Sequence, residues 1–154
     1  AAGAIPRLID LGVNPKIIGS ALNITLAQRL VRRLCVFCKE TYTPEGKDKE
    51  ILDRFIPEVQ AIREIAYPTV LYRPVGCDKC TMTGYKGRVS VYEGILMNAK
   101  VEDIIRENPS ERDIREAAKD QKILDMQQDA IVKIVGGITS IEEVSRIIGL
   151  ERLR

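Results

Sequence analysis

The sequence predicts an α/β chain of the α+β kind: a helix-and-strand N-terminal part, a four-cysteine insertion, and a helical C-terminal domain. Three observations carry this reading. Two C-x-x-C pairs, Cys35-Val-Phe-Cys38 and Cys77-Asp-Lys-Cys80, stand thirty-eight residues apart. After the second pair, Val89, Val91 and Ile95 share one parity while Tyr92 and Leu96 take the other, the period of a strand. From Asn98 onward, apolar residues recur three and four apart, as on helices with one covered face.

Residues 5–11 read as the end of a helix, closed by Gly12 where a left-handed cap is easiest. Asn14-Pro15 then signals a new start, with Asn14 as N-cap and Pro15 at the first helical position, where a missing N–H does no harm. That helix should stop near Asn23. Residues 24–34 leave the period open: Leu22, Leu26, Leu30 and Leu34 recur every four residues as in a helix, whereas Ile24, Leu26, Gln28 and Leu30 alternate as in a strand. Between Cys35 and Gly87 glycine, proline, lysine and glutamate increase, with a charged helix expected around 48–55 and a short strand over 70–75.

Beyond Asn98, Val101, Ile104 and Ile105 form one stripe, ended by Asn108-Pro109. Ser110 and Asp113 resemble a capping pair for the next helix. Ile131, Ile134 and Val135 make another face, closed by Gly136-Gly137. Thr139 and Glu142 read as a capping box for a last helix covered along Ile141, Val144 and Ile148. These helices are expected to pack as a separate bundle through Ile104, Ile131, Val144 and Ile148.

Composition narrows the function. A length of 154 residues suits one ordinary domain, 45% apolar residues can build a core, and 30% charged residues suit an aqueous surface. The most apolar stretch, residues 17–34, is broken by Arg29, Arg32 and Arg33, so no membrane span is expected. No signal peptide is evident, and a start at Ala1 rather than Met leads us to expect a fragment. Histidine is absent, which removes the usual general base and every Ser-His-Asp or Cys-His arrangement. Neither G-x-x-x-x-G-K-[ST] nor G-x-G-x-x-G occurs, and no specific carboxylate pattern stands out. No complete catalytic site is expected.

The cysteines are more informative. A C-x-x-C turn places two sulfurs on one side of a tight knuckle, and two facing knuckles supply four thiolates at tetrahedral corners. Without histidine, a metal site here must be all cysteine, and none of the four cysteines is left over. Disulfides would need an oxidising compartment, a redox motif would need only one pair at a strand-to-helix turn, and iron is a further alternative. We expect one structural zinc per chain on Cys35, Cys38, Cys77 and Cys80, closed to water and so without a hydrolytic role. The doubly negative site would be balanced by Lys39, Lys79, Lys86 and Arg88, and Gly76, Gly84 and Gly87 would let backbone N–H groups approach sulfur. A subdomain of about fifty residues buries too little surface to stand alone, whereas structural zinc adds on the order of 10 kcal/mol.

Several stretches then converge on one family. They are Ala2-Gly3-Ala4-Ile5-Pro6-Arg7-Leu8, Ala27-Gln28-Arg29-Leu30-Val31-Arg32-Arg33-Leu34-Cys35, Gly76-Cys77-Asp78-Lys79-Cys80, Thr83-Gly84-Tyr85-Lys86-Gly87-Arg88 and Thr139-Ser140-Ile141-Glu142-Glu143-Val144. Together they resemble the C-terminal part of the hexameric ATPases that power type II secretion and type IV pilus assembly. Val36-Phe37 departs from that pattern, where a Pro-containing pair is common, as does Ala130, where Gly is usual.

The resemblance implies that residues 1–34 and 85–97 are the tail of a RecA-like core, 35–84 its zinc-binding insertion, and 98–154 a helical C-terminal domain. It resolves residues 24–33 as a strand, expected to run antiparallel to 88–96 as two arms of one excursion. ATP and Mg²⁺ would belong only to a full-length parent whose phosphate loop and acidic motifs precede this region. Implied partners are the other subunits of a homohexameric ring and inner-membrane platform proteins, in the cytoplasm at the inner membrane, with no nucleic acid. Arg29, Arg32 and Arg33 are either a solvated basic face or an interface with a neighbouring subunit or its nucleotide. The alternative is a zinc-ribbon nucleic-acid module, with Tyr85 stacking on a base beside Lys86 and Arg88. A net charge of +2 and 5% aromatic residues argue against it.

Overall fold

Asn14 and Gly12 do what their positions demand in the computed structural model, which describes residues 1–150. Helix α1 (Ala4–Asp10) is followed by Gly12 at φ +87°, and α2 (Pro15–Ala21) begins where Asn14 Oδ1 accepts the Lys16 N–H at 3.0 Å. Asn14→Ala is expected to cost about 1 kcal/mol, read as a lowered urea midpoint at unchanged m-value.

Residues 24–34 are a strand, β1 (Ile24–Leu34). The leucines at four-residue spacing do not form a helical face: Leu26 and Leu30 are exposed, while Val31 and Leu34 are buried. The strand forms because its backbone finds a partner far along the chain. After β2 (Glu40–Tyr42), α3 (Gly46–Gln60) and β3 (Leu71–Arg73), the chain returns as β4 (Tyr85–Leu96), which pairs with β1. The pairing is antiparallel, with the Cys35 N–H on Gly84 O at one end and the Met97 N–H on Asn23 O at the other, both at 2.9 Å. The two arms therefore meet as expected, and the cysteine pairs lie at their far end. Between them β2 and β3 form a second antiparallel ribbon, with Glu40 opposite Arg73 and Tyr42 opposite Leu71.

Among the described residues four further α-helices follow: α4 (Ala99–Ile105), α5 (Glu111–Ala118), α6 (Met126–Val135) and α7 (Ile141–Ile147). The Ser110–Asp113 capping box is present, as is one not anticipated, Asp125–Gln128, before α6. At α7 the expectation is off by one residue. Ser140, not Thr139, is the N-cap, accepting the Glu143 N–H at 3.2 Å, and Thr139 instead donates its hydroxyl to Arg32 O at 2.9 Å.

Two compact units result. One comprises residues 1–27 and 93–123 around Ile5, Ile18, Ile95, Val101, Ile105 and Ile114. The other comprises residues 28–92 and the described residues from Leu124 on, around Leu52, Phe55, Ile56, Val91, Ile131 and Val144. The expected single bundle beyond Asn98 is thus corrected. Helices α4 and α5 belong to the first unit, and α6 and α7 to the second. The cause is the covered face of α3, Leu52, Phe55, Ile56 and Val59, to which α6 supplies Ala130, Ile131 and Ile134. Residues 151–154 of the expected C-terminal domain lie outside the described residues.

Candidate metal centre

Both cysteine pairs sit on turns tight enough to aim two sulfurs the same way. The first follows β1 directly, with the Cys38 and Lys39 N–H groups donating to Cys35 O at 3.3 and 3.0 Å. In the second, Cys77 precedes a single 3-10 turn (Asp78–Cys80), and the N–H groups of Cys80 and Met82 both donate to Cys77 O. The chain then leaves through Thr81 and Met82, both left-handed at φ 54° and 59°. Thr83 steadies the exit, its hydroxyl donating to Cys80 O at 2.6 Å.

Two glycines are required rather than merely tolerated. Gly84 has φ +74°, and a Cβ there would stand 2.5 Å from Pro74 Cβ; at Gly76 (φ +129°) it would stand 2.7 Å from Met82 O. Gly84→Ala should therefore cost about 1–3 kcal/mol, seen as a lower melting temperature of the metal-loaded protein.

The four sulfurs converge. Cys35, Cys38, Cys77 and Cys80 place their Sγ atoms all within 4.8 Å of one another. Across the knuckles Cys35–Cys77 and Cys38–Cys80 are 3.9 and 3.7 Å apart, and Cys77–Cys80 are 3.7 Å apart. Sulfurs at the corners of a tetrahedron with metal–sulfur bonds of about 2.3 Å would be roughly 3.8 Å apart. All four thiols are free. Spacing and donor set fit a soft tetrahedral cation, with no fifth position for water or substrate.

Backbone donors favour the charged form at one of the four sulfurs, Cys80. Burial pushes the Cys80 thiol up, but the N–H groups of Cys77 (3.2 Å) and Gly84 (3.3 Å), helped by Cys38 and Cys77, outweigh it and hold Cys80 at about 6. Burial and the neighbouring sulfurs push Cys38 up to about 12, against the Gly76 N–H. Gly76 and Gly84 thus act as expected. The cations do not. Among the described residues none of Lys39, Lys79, Lys86 and Arg88 donates to a sulfur. Lys39 Nζ donates to Gly137 O at 2.7 Å and lies over Tyr72, and Lys79 lies 4.3 Å from the centre of the Phe37 ring. Long side chains reach whatever carbonyl or ring lies nearest, and counting charges along the sequence cannot locate that.

The three arginines have different environments. Arg29 and Arg33 are exposed, and Arg29 donates to the neighbouring Gln28 O. Arg32 is held by a residue that the sequence reading passed over, Glu143, which is 1% exposed. Its carboxylate accepts the Arg32 N–H at 3.0 Å, Arg32 Nε and Nη2 at 2.8 and 2.6 Å, and Arg146 as well. Arg32 also lies 4.0 Å from the centre of the Tyr85 ring, whose hydroxyl meets Ser140 Oγ at 2.7 Å. Tyr85 is buried and has no face free for a base. The signal for Glu143 lay in Ser140-x-x-Glu143, a capping pattern one residue later than the one read.

Comparison with known proteins follows the same residues. The profile of a family described as "Type II/IV secretion system protein" matches residues 1–146. The chain is 35% identical over 147 residues to the type II secretion system ATPase E of Vibrio cholerae, covering 96% of this chain and 27% of that protein. It is 37% identical over 150 residues to the type IV pilus assembly ATPase TfpB of Acinetobacter baylyi, covering 97% and 24% respectively. With PilB of Thermus thermophilus, also a type IV pilus assembly ATPase, the figures are 36% over 144 residues, 94% and 15%. The chain spans about a quarter or less of the length of these curated relatives.

Proposed function

We propose a function from a plain premise: the chain belongs to the type II/IV secretion system protein family. It is the C-terminal, zinc-bearing portion of a motor ATPase that powers type II secretion or type IV pilus assembly. The observation that carries this reading is the set of four sulfurs on two knuckles, all within 4.8 Å of one another and three of the pairs at 3.7–3.9 Å, in a chain of that family. Cys35, Cys38, Cys77 and Cys80 hold one zinc. When bound, zinc supplies a rigid cross-link between the arms β1 and β4 and no activated water, since all four positions are taken. The chain's own groups complete the unit: the Cys77 and Gly84 N–H groups support a thiolate, and Glu143 fixes Arg32 beside the first knuckle.

Residues 1–34 and 85–97 are read as the tail of a RecA-like core, with 35–84 its insertion and 98–154 beyond it. Support comes from β1 and β4, which among the described residues pair with each other and with no further strand. The role of this portion is structural and interactive, with ATP and Mg²⁺ bound by other parts of the parent. Exposed Arg29 and Arg33 face a neighbouring subunit of a homohexameric ring, and inner-membrane platform proteins are the further partners. Among the described residues no helix is long and apolar enough to cross a membrane; the place of this portion, in the cytoplasm at the inner membrane, is read from the family resemblance.

Elemental analysis tests the metal: close to one zinc per chain is expected, and four readily alkylated thiols in a folded, metal-free protein would overturn it. The purified chain should not hydrolyse ATP, because no phosphate loop occurs in it. Phosphate release above that of a denatured control would refute this.

A further inference from the structure

The apolar side chains at the knuckle tips have no part in holding a metal. Val36 and Phe37 lie between the first two cysteines, Val75 precedes the second pair, and Met82 follows it; they are 63%, 60%, 50% and 68% exposed. Sequence places them in two clusters, and the fold joins these. The sulfur contacts bring the knuckles together, Lys79 of one covers the Phe37 ring of the other, and the backbone of Met82 lies beside Gly76, the residue after Val75. Scattered exposed apolar residues need no explanation, but a group at one end of a unit marks a contact surface.

The charge around the group selects the occupant. Lys79, Lys86 and Arg88 are exposed, and among the described residues none is in an ion pair, whereas Asp78 is the one exposed acid in residues 75–88. We propose that the two knuckle tips form a docking surface for an acidic, apolar segment of a partner protein. Phe37 and Met82 are its anchors, and Lys79 is its charge contact.

A lipid surface fits less well. Lys79 lies over the face of the most insertable side chain, so driving Phe37 into hydrocarbon would bury or displace an ammonium group. A protein carboxylate can meet Lys79 while a neighbouring apolar side chain meets the edge of Phe37. The knuckles also present these side chains from a backbone already fixed, which lowers the ordering cost of binding. That last point rests on the zinc reading; the surface itself rests on exposure and charge.

The test uses the full-length ATPase in its own cells, with Phe37→p-benzoylphenylalanine as photo-crosslinker and zinc content measured on every variant. The expected result is one adduct with an acidic segment of another protein of the machine. Lys79→Glu should lower its yield roughly tenfold, and acid→Lys at the crosslinked segment should restore it. No adduct, an adduct within the chain or to another copy of it, or an adduct insensitive to Lys79→Glu would overturn the proposal. So would a lipid adduct, or co-sedimentation with phosphatidylglycerol–phosphatidylethanolamine vesicles that Phe37→Glu abolishes. A zinc-free protein that still gives the charge-dependent adduct would sink the zinc reading and leave the docking surface standing.

Discussion

Stripping the metal, or replacing Cys38 by serine, is expected to unfold the knuckles and β2–β3 while the first unit keeps its protection. Bound structural zinc contributes on the order of 10 kcal/mol, comparable with the entire stability of an ordinary domain, about 5–15 kcal/mol. No local repacking offsets such a loss. The knuckle tips have little else to hold them, since Val36, Phe37 and Met82 are exposed, and each strand of the β2–β3 ribbon is three residues long, with Leu71 and Tyr42 as its contacts with the core. Serine offers a hard hydroxyl in place of a soft thiolate and leaves only three sulfur ligands for the cation. By contrast Ile5, Ile18, Val101 and Ile105 form a core that contains none of the ligands. Hydrogen exchange with zinc quantified alongside should show fast exchange over 35–42 and 71–88, with little change over 15–21 and 99–118. Retained protection over 35–42 after verified loss of zinc would contradict the assignment.

What could be read from the sequence was what depends on near neighbours. An N-cap needs only its own first turn, so Asn14 and Ser110 were legible. So were the two cysteine knuckles, because C-x-x-C carries its geometry in four residues. Strand β1 was not, since its leucines satisfy both periods and the choice is made by β4, 49 residues away by the Cys35–Gly84 contact and 62 by Gln28–Ser90. The resemblance settled it where the pattern could not. The grouping of helices was equally hidden. A stripe such as Ile131–Ile134 shows that something covers it, but the cover is the face of α3 on Phe55 and Ile56, and no local pattern names it. Lys39 and Lys79 were assigned to the sulfurs by proximity in sequence, whereas each reaches a ring and one a distant carbonyl.

Glu143→Ala is expected to destabilise the second unit by about 3–4 kcal/mol at neutral pH, although the residue touches neither cysteine knuckle directly. Removing the carboxylate leaves the Arg32 N–H and guanidinium without their acceptor and opens a void at a site 1% exposed. The pH dependence distinguishes this from simple loss of packing. Burial pushes the Glu143 carboxyl up, but hydrogen bonds from Arg32 and Arg146 outweigh it and hold the group below the ordinary glutamate value. Its contribution is therefore fully present above the unfolded value of about 4.3, and it is lost as pH falls through the lower folded value. Urea titrations of the wild type and Glu143→Ala should thus show a wide gap at neutral pH that narrows only in strong acid. The void and the lost helix contacts do not titrate, so a residual gap should persist there. A gap independent of pH would mean that Glu143 acts by filling space alone, and the link from α7 to β1 through Arg32 would then carry no charge-dependent energy.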